Sequence, residues 1–184
     1  MQYTTLGNTG LRVSVAGLGT GGFSRLGLKT GKTEGEAAGL IHEAIGLGIN
    51  FIDTAPSYGT EGVVGRALKT IPRDSVVVAT AEVTKSIDNS LRVMGTDYID
   101  VFNLHGIELH EYDHAMSVVS AMLEAKRAGK IRHIGITENP INDFTNEMLK
   151  RAVNDPVWTV YMVGFHMMHQ VARKNVFPAT RAKG

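Results

Sequence analysis

Apolar runs of four to eight residues alternate along the chain with segments in which apolar residues recur every three or four positions. Continuous runs such as Val-Val-Val-Ala at 76–79 are typical of strands in a sheet covered on both faces. Between such runs, Ala37, Ile41 and Ala44 share one face of a helix over 34–47, which Gly48 ends. The alternation predicts βαβ units around a parallel sheet.

A hairpin over residues 1–10, with its turn at 7–10, precedes six predicted strands. The strands are expected at 13–20, 50–53, 76–80, 99–105, 132–137 and 157–165. The later helices are expected to run from Thr60 as a cap to 68, along Val83, Ile87, Leu91 and Met94, over 113–128, along Phe144, Met148, Leu149 and Val153, and weakly through 171–184.

Six βα units are compatible with a doubly wound sheet or with a barrel, and the count alone does not choose between them. A dinucleotide-binding fingerprint would favour the doubly wound sheet. The nearest candidate, Gly-Thr-Gly-Gly at 19–22, has the wrong glycine spacing and no helix directly after it.

The chain has 184 residues, and we expect them to form a single domain over 1–184. A net charge of +1 gives no reason to expect nucleic-acid or anionic-membrane binding through bulk charge. The absence of cysteine excludes disulfides and thiolate catalysis. The first residues do not resemble a signal peptide, and no run approaches the ~18 apolar residues of a membrane helix, so we expect a soluble, cytoplasmic protein.

Asp53 lies at the end of a predicted strand, and Tyr58 follows five residues later in a turn with proline and glycine. Active sites of parallel α/β proteins are built at such strand exits. His105 ends another predicted strand, and Asp100 at the start of that strand is expected to be structural.

These features resemble the aldo-keto reductases. The similarity runs through Leu-Gly-Asn-Thr-Gly-Leu-Arg-Val-Ser at 6–14, the Asp53/Tyr58 segment with Gly-Arg-Ala-Leu at 65–68, the run 91–105 that ends in His105, and 129–137. The resemblance implies a (β/α)8 TIM barrel with an N-terminal β-hairpin, of which about six of the eight βα units are present.

The chemistry that the resemblance implies is hydride transfer between NADP(H) or NAD(H) and a small aldehyde, ketone or sugar. Tyr58 would be the general acid, His105 would orient the carbonyl oxygen, and Asp53 would hold a lysine that assists the tyrosine. Thr20, Thr137 and Glu138 lie where the family contacts the nicotinamide, although the family has Ser-Asn at the last two positions. The segments 105–108 and 134–137 look most like the aldose or galactose dehydrogenase branch.

The family's lysine directly follows the threonine that ends the third strand, but here Ala81 follows Thr80. Lys85 is the nearest substitute, from within a predicted helix. The last two βα units are also not found, and the two losses together suggest an incomplete sequence. The alternatives are a catalytically silent barrel that binds a nucleotide or a protein partner, and an unstable fragment; the oligomeric state stays open.

The segment His-Met-Met-His at 166–169 raises the possibility of a metal site, because histidine is a common zinc ligand. No carboxylate stands at a fixed spacing to complete a ligand set, and the resemblance explains His105 without metal. We therefore predict no metal site.

Overall fold

The N-terminal hairpin is longer than predicted, and it takes up the start of the expected first strand. The computed structural model describes residues 1–82 and 87–183. Strands β1 (Tyr3–Thr5) and β2 (Arg12–Ser14) pair antiparallel. The Ser14 hydroxyl donates to the Ala16 carbonyl at 2.7 Å where the chain turns away from the hairpin. Only Leu18–Gly19 (β3) of the predicted strand 13–20 joins the main sheet.

The main sheet has six parallel strands in sequence order and is curled. After β3 come β4 (Phe51–Thr54), β5 (Val77–Ala81), β6 (Ile99–Ile107), β7 (Ile131–Glu138) and β8 (Val160–Met162). A doubly wound sheet reverses its strand order at a switch point, whereas this order never reverses. The topology is therefore that of a barrel wall, and β8 is shorter than the predicted 157–165.

The helices confirm the alternating pattern and correct two details of it. They are α1 (Glu34–Gly46), α2 (Glu61–Leu68), α3 (Ile87–Met94), α4 (Tyr112–Ser117), α5 (Val119–Arg127), α6 (Glu147–Ala152), α7 (Ala172–Asn175) and α8 (Phe177–Lys183). The predicted helix 113–128 is two helices that meet at Val118. Phe144 lies outside α6 and is 64% exposed, because the helix begins only after Asn146. Val83 and Lys85 lie outside the described residues.

Alternation along the strands sorts side chains between the helix layer and the inside of the curled sheet, which we call the lumen. Ile52, Val78 and Ile134 are buried in the apolar core shared with the helices. The intervening positions, including Asp53 and His105, therefore face the lumen. In the part of the chain that is described, no helix is long and apolar enough to cross a membrane.

The amino ends of the central strands are held together by a buried carboxylate. Asp100, at the start of β6, accepts from Arg73 at 2.8 Å, from Arg132 at 2.9 Å and from the backbone N–H of Val78 at 2.9 Å. Both guanidinium groups also lie over the Tyr98 ring, at 4.0 and 3.8 Å from its centroid. The structural role predicted for Asp100 is confirmed.

Candidate active site

Tyr58 and His105 meet at the carboxyl end of the sheet. Tyr58 lies in a short 3-10 turn, Pro56–Tyr58, after β4, and its hydroxyl is 3.4 Å from His105 Nε2. The two rings pack edge to face, with centroids 6.2 Å apart. Burial raises the pKa of the Tyr58 phenol, the charge of Asp53 raises it further, and the charge of Arg25 opposes the rise. The structure thus brings together two of the three predicted catalytic residues in direct contact.

Asp53 is the residue before the last of β4, near the same end of the sheet, and among the described residues one of its oxygens has no partner. Its Oδ1 atom is buried and has no hydrogen-bond partner among the described residues. Burial raises the pKa of this carboxyl to about 6, because an ionised carboxylate is poorly solvated there. The charge of Asp53 thus acts on the nearby tyrosine, and no cation of the described residues pairs with its buried oxygen.

Ala81 follows Thr80, where the resemblance implies a lysine. Thr80 donates its hydroxyl to Glu61 Oε1 on α2 at 2.9 Å, so Thr80 faces the helix layer. The next residue on the strand, Ala81, therefore faces the lumen, and it is buried. A methyl group stands where the resemblance requires an amine, and Lys85, the candidate substitute, lies outside the described residues.

Two residues that sequence reasoning missed surround the Tyr58 ring. A Cβ atom on Gly21 would lie 2.4 Å from Tyr58 Cε2, so the ring packs directly against glycine backbone. The guanidinium carbon of Arg25 lies 5.0 Å from the centroid of the same ring. The unusual glycine pair at 21–22 was the available signal for the close approach, whereas no pattern along the chain marks Arg25.

Thr20 is buried in a cluster of threonine hydroxyls behind the strand ends. Its Oγ1 lies 2.7 Å from that of Thr60, which is also 3.2 Å from that of Thr54. Thr60 precedes α2 as predicted, but its hydroxyl makes no capping bond because this cluster engages it. The side chain of Thr20 points to the helix layer, and a cofactor contact at Thr20 stays a prediction.

Thr137 and Glu138 both lie at the end of β7 and both are engaged within the protein. Thr137 accepts from the Gly106 backbone N–H at 2.6 Å and keeps its own hydroxyl proton to donate. Glu138 accepts from Asn146 at 2.8 Å and from the Gly164 N–H at 2.6 Å, which ties together the exits of β7 and β8. Burial raises the pKa of Glu138, although these two hydrogen bonds act to lower it. Their predicted cofactor contacts also stay predictions.

Asn103 is a further lumen residue that the sequence could have revealed. It precedes His105 by two positions on β6, so strand alternation places both on one face. Its Oδ1 atom is buried against Gly135 and has no hydrogen-bond partner within the described ranges. A buried acceptor without a donor is unfavourable. Among the described residues, the unsatisfied polar atoms of the lumen include Oδ1 of Asp53 and Oδ1 of Asn103.

The histidines at 166 and 169 form a tight backbone turn. The N–H of each residue donates to the carbonyl of the other, at 3.0 and 2.9 Å, and the rings are 5.9 Å apart. Residues 1–82 and 87–183 contain no group of three or more histidine, aspartate or glutamate side chains placed to hold a metal ion.

A separate cavity of about 720 Å³ lies away from Tyr58, between the hairpin turn, β8 and α8. Trp158, Tyr161 and Phe177 contribute to its lining.

Comparison with known proteins assigns the family. The model of the aldo/keto reductase family matches residues 16–184, and the chain belongs to that family. Aldo-keto reductases use NAD(P)H, so the nicotinamide cofactor predicted from the sequence is confirmed as the cofactor of the family. A holo-form aldo-keto reductase from Bacillus halodurans superposes with a TM-score of 0.72 at 28% identity, over 90% of this chain and 58% of its own. The TIM-barrel fold predicted from the resemblance is confirmed as the fold type.

Among curated relatives, L-galactose dehydrogenase from Arabidopsis thaliana is 39% identical over 79% of this chain and 51% of its own length. The aldo-keto reductase YhdN from Bacillus subtilis is 33% identical over 74% of this chain and 47% of its own. The chain thus spans about half the length of these relatives. The alignment with the NADH-specific methylglyoxal reductase of Escherichia coli, at 28% identity, covers 100% of this chain and 65% of that relative. It runs over 216 positions, more than the 184 residues here, so that relative has internal residues without a counterpart.

Proposed function

We propose that this chain carries the acid–base half of an NAD(P)(H)-dependent oxidoreductase site for small aldehydes, ketones or sugars. The observation that carries the proposal is the 3.4 Å contact between the Tyr58 hydroxyl and His105 Nε2 at the carboxyl end of the sheet. A phenol and an imidazole that meet at this edge can both reach one carbonyl oxygen.

Tyr58 is the general acid in this proposal. Burial and the charge of Asp53 raise its pKa, so the phenol holds its proton more tightly, and a positive charge nearby is needed to favour the transfer. In carbonyl reduction the proton passes from the Tyr58 oxygen to the carbonyl oxygen, and in alcohol oxidation it returns. His105 holds that oxygen in place through Nε2 and so limits the orientations that the substrate can adopt.

In this proposal the lumen receives the nicotinamide end of the cofactor, which when bound would supply or accept the hydride. Thr137 retains a hydroxyl proton to donate, and Asn103 Oδ1 is a buried acceptor without a described partner. A carboxamide presents one acceptor and two donor protons, which complements these two atoms. Thr137 and Asn103 are therefore the residues that we propose to hold it.

A sugar substrate is favoured by the 39% identity to L-galactose dehydrogenase, together with the segments 105–108 and 134–137 that suggested that branch. The second candidate is a silent barrel that binds the cofactor without turnover. The unpartnered Oδ1 of Asp53 and the alanine at position 81 favour it, because the family's lysine is missing from the described site.

Turnover of NADPH and NADH with methylglyoxal, and of NADP and NAD with a panel of aldoses, tests the proposal. We expect Tyr58→Phe to lower kcat by a factor of about 10² or more, which is typical of losing a general acid. Tyr3→Phe is the matched control, because the Tyr3 hydroxyl contacts the Gly48 carbonyl outside the site. Equal rates for the Tyr58→Phe variant and the parent would contradict the assignment.

Ala81→Lys separates the two candidates. A lysine here would extend from the lumen-facing position of β5 towards Asp53, and we expect kcat to rise at least about tenfold as a charge-assisted acid is restored. The matched control is Ala81→Met, which adds length without charge. Cofactor binding by a parent that never turns over, with no gain in Ala81→Lys, would favour the silent barrel.

A further inference from the structure

Arg25 contacts the candidate site, and the family resemblance assigns it no role. It lies in the turn after β3, where its N–H donates to the Gly22 carbonyl at 2.9 Å. Its guanidinium carbon is 5.0 Å from the centre of the Tyr58 ring, within the range of a cation–π interaction. The Tyr58 ring also packs against Gly21, whose backbone leaves room for the ring only because glycine has no Cβ.

The turn holds Arg25 in place at an energetic cost. Arg25, Leu26 and Gly27 are all left-handed, with φ of 51°, 57° and 87°. Two successive non-glycine residues in this region are unfavourable, because the Cβ atom of an L residue crowds the backbone there. Such a backbone persists where the surrounding structure requires it, and here it directs the guanidinium over the catalytic ring.

The Nη1 atom of Arg25 is buried and makes no hydrogen bond to the described residues, 1–82 and 87–183. A structural arginine normally donates hydrogen bonds to carboxylates or carbonyls, as Arg73 does to Asp100, Tyr98 and Val76. Arg25 instead presents its charge to the aromatic face.

Within residues 1–82 and 87–183, three charged or titratable groups face the phenol from the elements packed against it. They are Asp53 from β4, His105 from β6 and Arg25 from the turn after β3. Asp53 disfavours the phenolate and Arg25 favours it. Arg25 is thus the described cation whose field acts on Tyr58 in the sense that the family's lysine would.

We infer that Arg25 is a positioning residue for the proposed reaction: it fixes the Tyr58 ring against Gly21 and supplies the positive charge that favours loss of the phenolic proton. The inference rests on the proposed role of Tyr58 as the general acid. It predicts that charge at position 25, beyond the volume of the side chain, controls the ionisation of one tyrosine.

The test follows Tyr58 directly and does not require turnover. The protein is produced with 3,5-difluorotyrosine, which ionises at lower pH than tyrosine, and each ring is followed by ¹⁹F NMR across a pH titration. Tyr58→Phe assigns the resonance among the five tyrosines of the chain. The variants are Arg25→Lys, which keeps the charge, and Arg25→Gln and Arg25→Met, two neutral replacements of which either one suffices.

We expect the ionisation midpoint of ring 58 to move to higher pH in Arg25→Gln and Arg25→Met, and to remain nearer that of the parent in Arg25→Lys. Asp53→Asn should move the same midpoint to lower pH. Titrations of the neutral variants that superimpose on the parent, or an Arg25→Lys shift as large as that of Arg25→Gln, would overturn the inference. A parent without turnover would count against the proposed function alone, since the titration is still read.

Discussion

Asp100 on β6 and Asp53 on β4 are both carboxylates of one sheet, separated by strand β5, yet they lie at opposite ends of the sheet and in opposite electrostatic situations. Asp100, at the amino end, is 1% exposed and is matched by two guanidinium groups and a backbone N–H. Asp53, at the carboxyl end, has a buried oxygen without a described partner, and its pKa is raised to about 6. At the amino end of the sheet, the described residues pair the carboxylate of Asp100 with two cations. At the carboxyl end, no described cation pairs with the carboxylate of Asp53, whose charge acts on Tyr58.

The largest effect is expected when the matched carboxylate is removed. Asp100→Ala leaves Arg73, Arg132 and the Val78 N–H without their shared acceptor, and we expect a loss of about 3–5 kcal/mol in the free energy of unfolding. Urea denaturation measures it. Asp88→Ala is the control, since its 2.6 Å pair with Lys130 is solvent-exposed and should contribute less than about 1 kcal/mol. Similar losses of unfolding free energy in Asp100→Ala and Asp88→Ala would contradict the view that the Asp100 cluster is a main source of stability.

Neutralising the unmatched carboxylate should do the reverse. The folded pKa of Asp53 lies above the ordinary value of 3.8, so the folded state binds the proton more tightly than the unfolded state. Ionisation therefore removes stability as the pH rises from about 4 through about 6, by up to about 3 kcal/mol above that window. Asp53→Asn is expected to be more stable than the parent at pH 8, by less at pH 5, and equal below pH 4.

Urea denaturation at these pH values measures the difference between Asp53→Asn and the parent. The control is Asp97→Asn, at an exposed aspartate, which we expect to change the unfolding free energy by no more than about 0.5 kcal/mol. A constant difference for Asp53→Asn across pH 4 to 8 would show that Asp53 is neutralised in the folded protein.

The smallest of the three effects concerns packing at the rim. Gly21→Ala places a methyl group too close to three Tyr58 ring carbons, so the ring must leave its present position against the glycine backbone. We expect a loss of about 1–3 kcal/mol by overpacking, together with a change in the near-ultraviolet circular dichroism of the tyrosine. Gly22→Ala is the matched control, because nothing lies within 4 Å of its added Cβ. Equal stabilities would mean that the ring has room to move.

Hydrophobic patterning predicted most of the elements because the buried side chains of a strand or a helix recur at a characteristic spacing along the sequence. It misplaced boundaries where tertiary contacts decide them. The strand expected at 13–20 is divided because residues 12–14 pair with the hairpin, and the helix expected at 113–128 is interrupted at Val118. The first break contains Gly17, whereas the helix is interrupted at Val118, without a proline or glycine to mark the position.

The candidate site was predictable in part for the same reason. Asp53, Tyr58 and His105 follow or end predicted strands, and parallel strands bring such ends to one edge. Arg25 was not predictable, because its position over Tyr58 depends on three successive left-handed residues, which propensity would not place at arginine and leucine.

By itself the sequence determined the family, the parallel order of βα units and the residues that meet at the carboxyl end, since alternation and strand exits are local properties. It also showed that Ala81, and not the lysine that the resemblance implies, follows Thr80. Only the tertiary structure decided which charges are neutralised. Two arginines distant in sequence converge on Asp100, whereas Asp53 receives no described cation and Arg25 turns to the tyrosine instead. Electrostatic matching depends on distances and burial, and both arise only when the chain is packed.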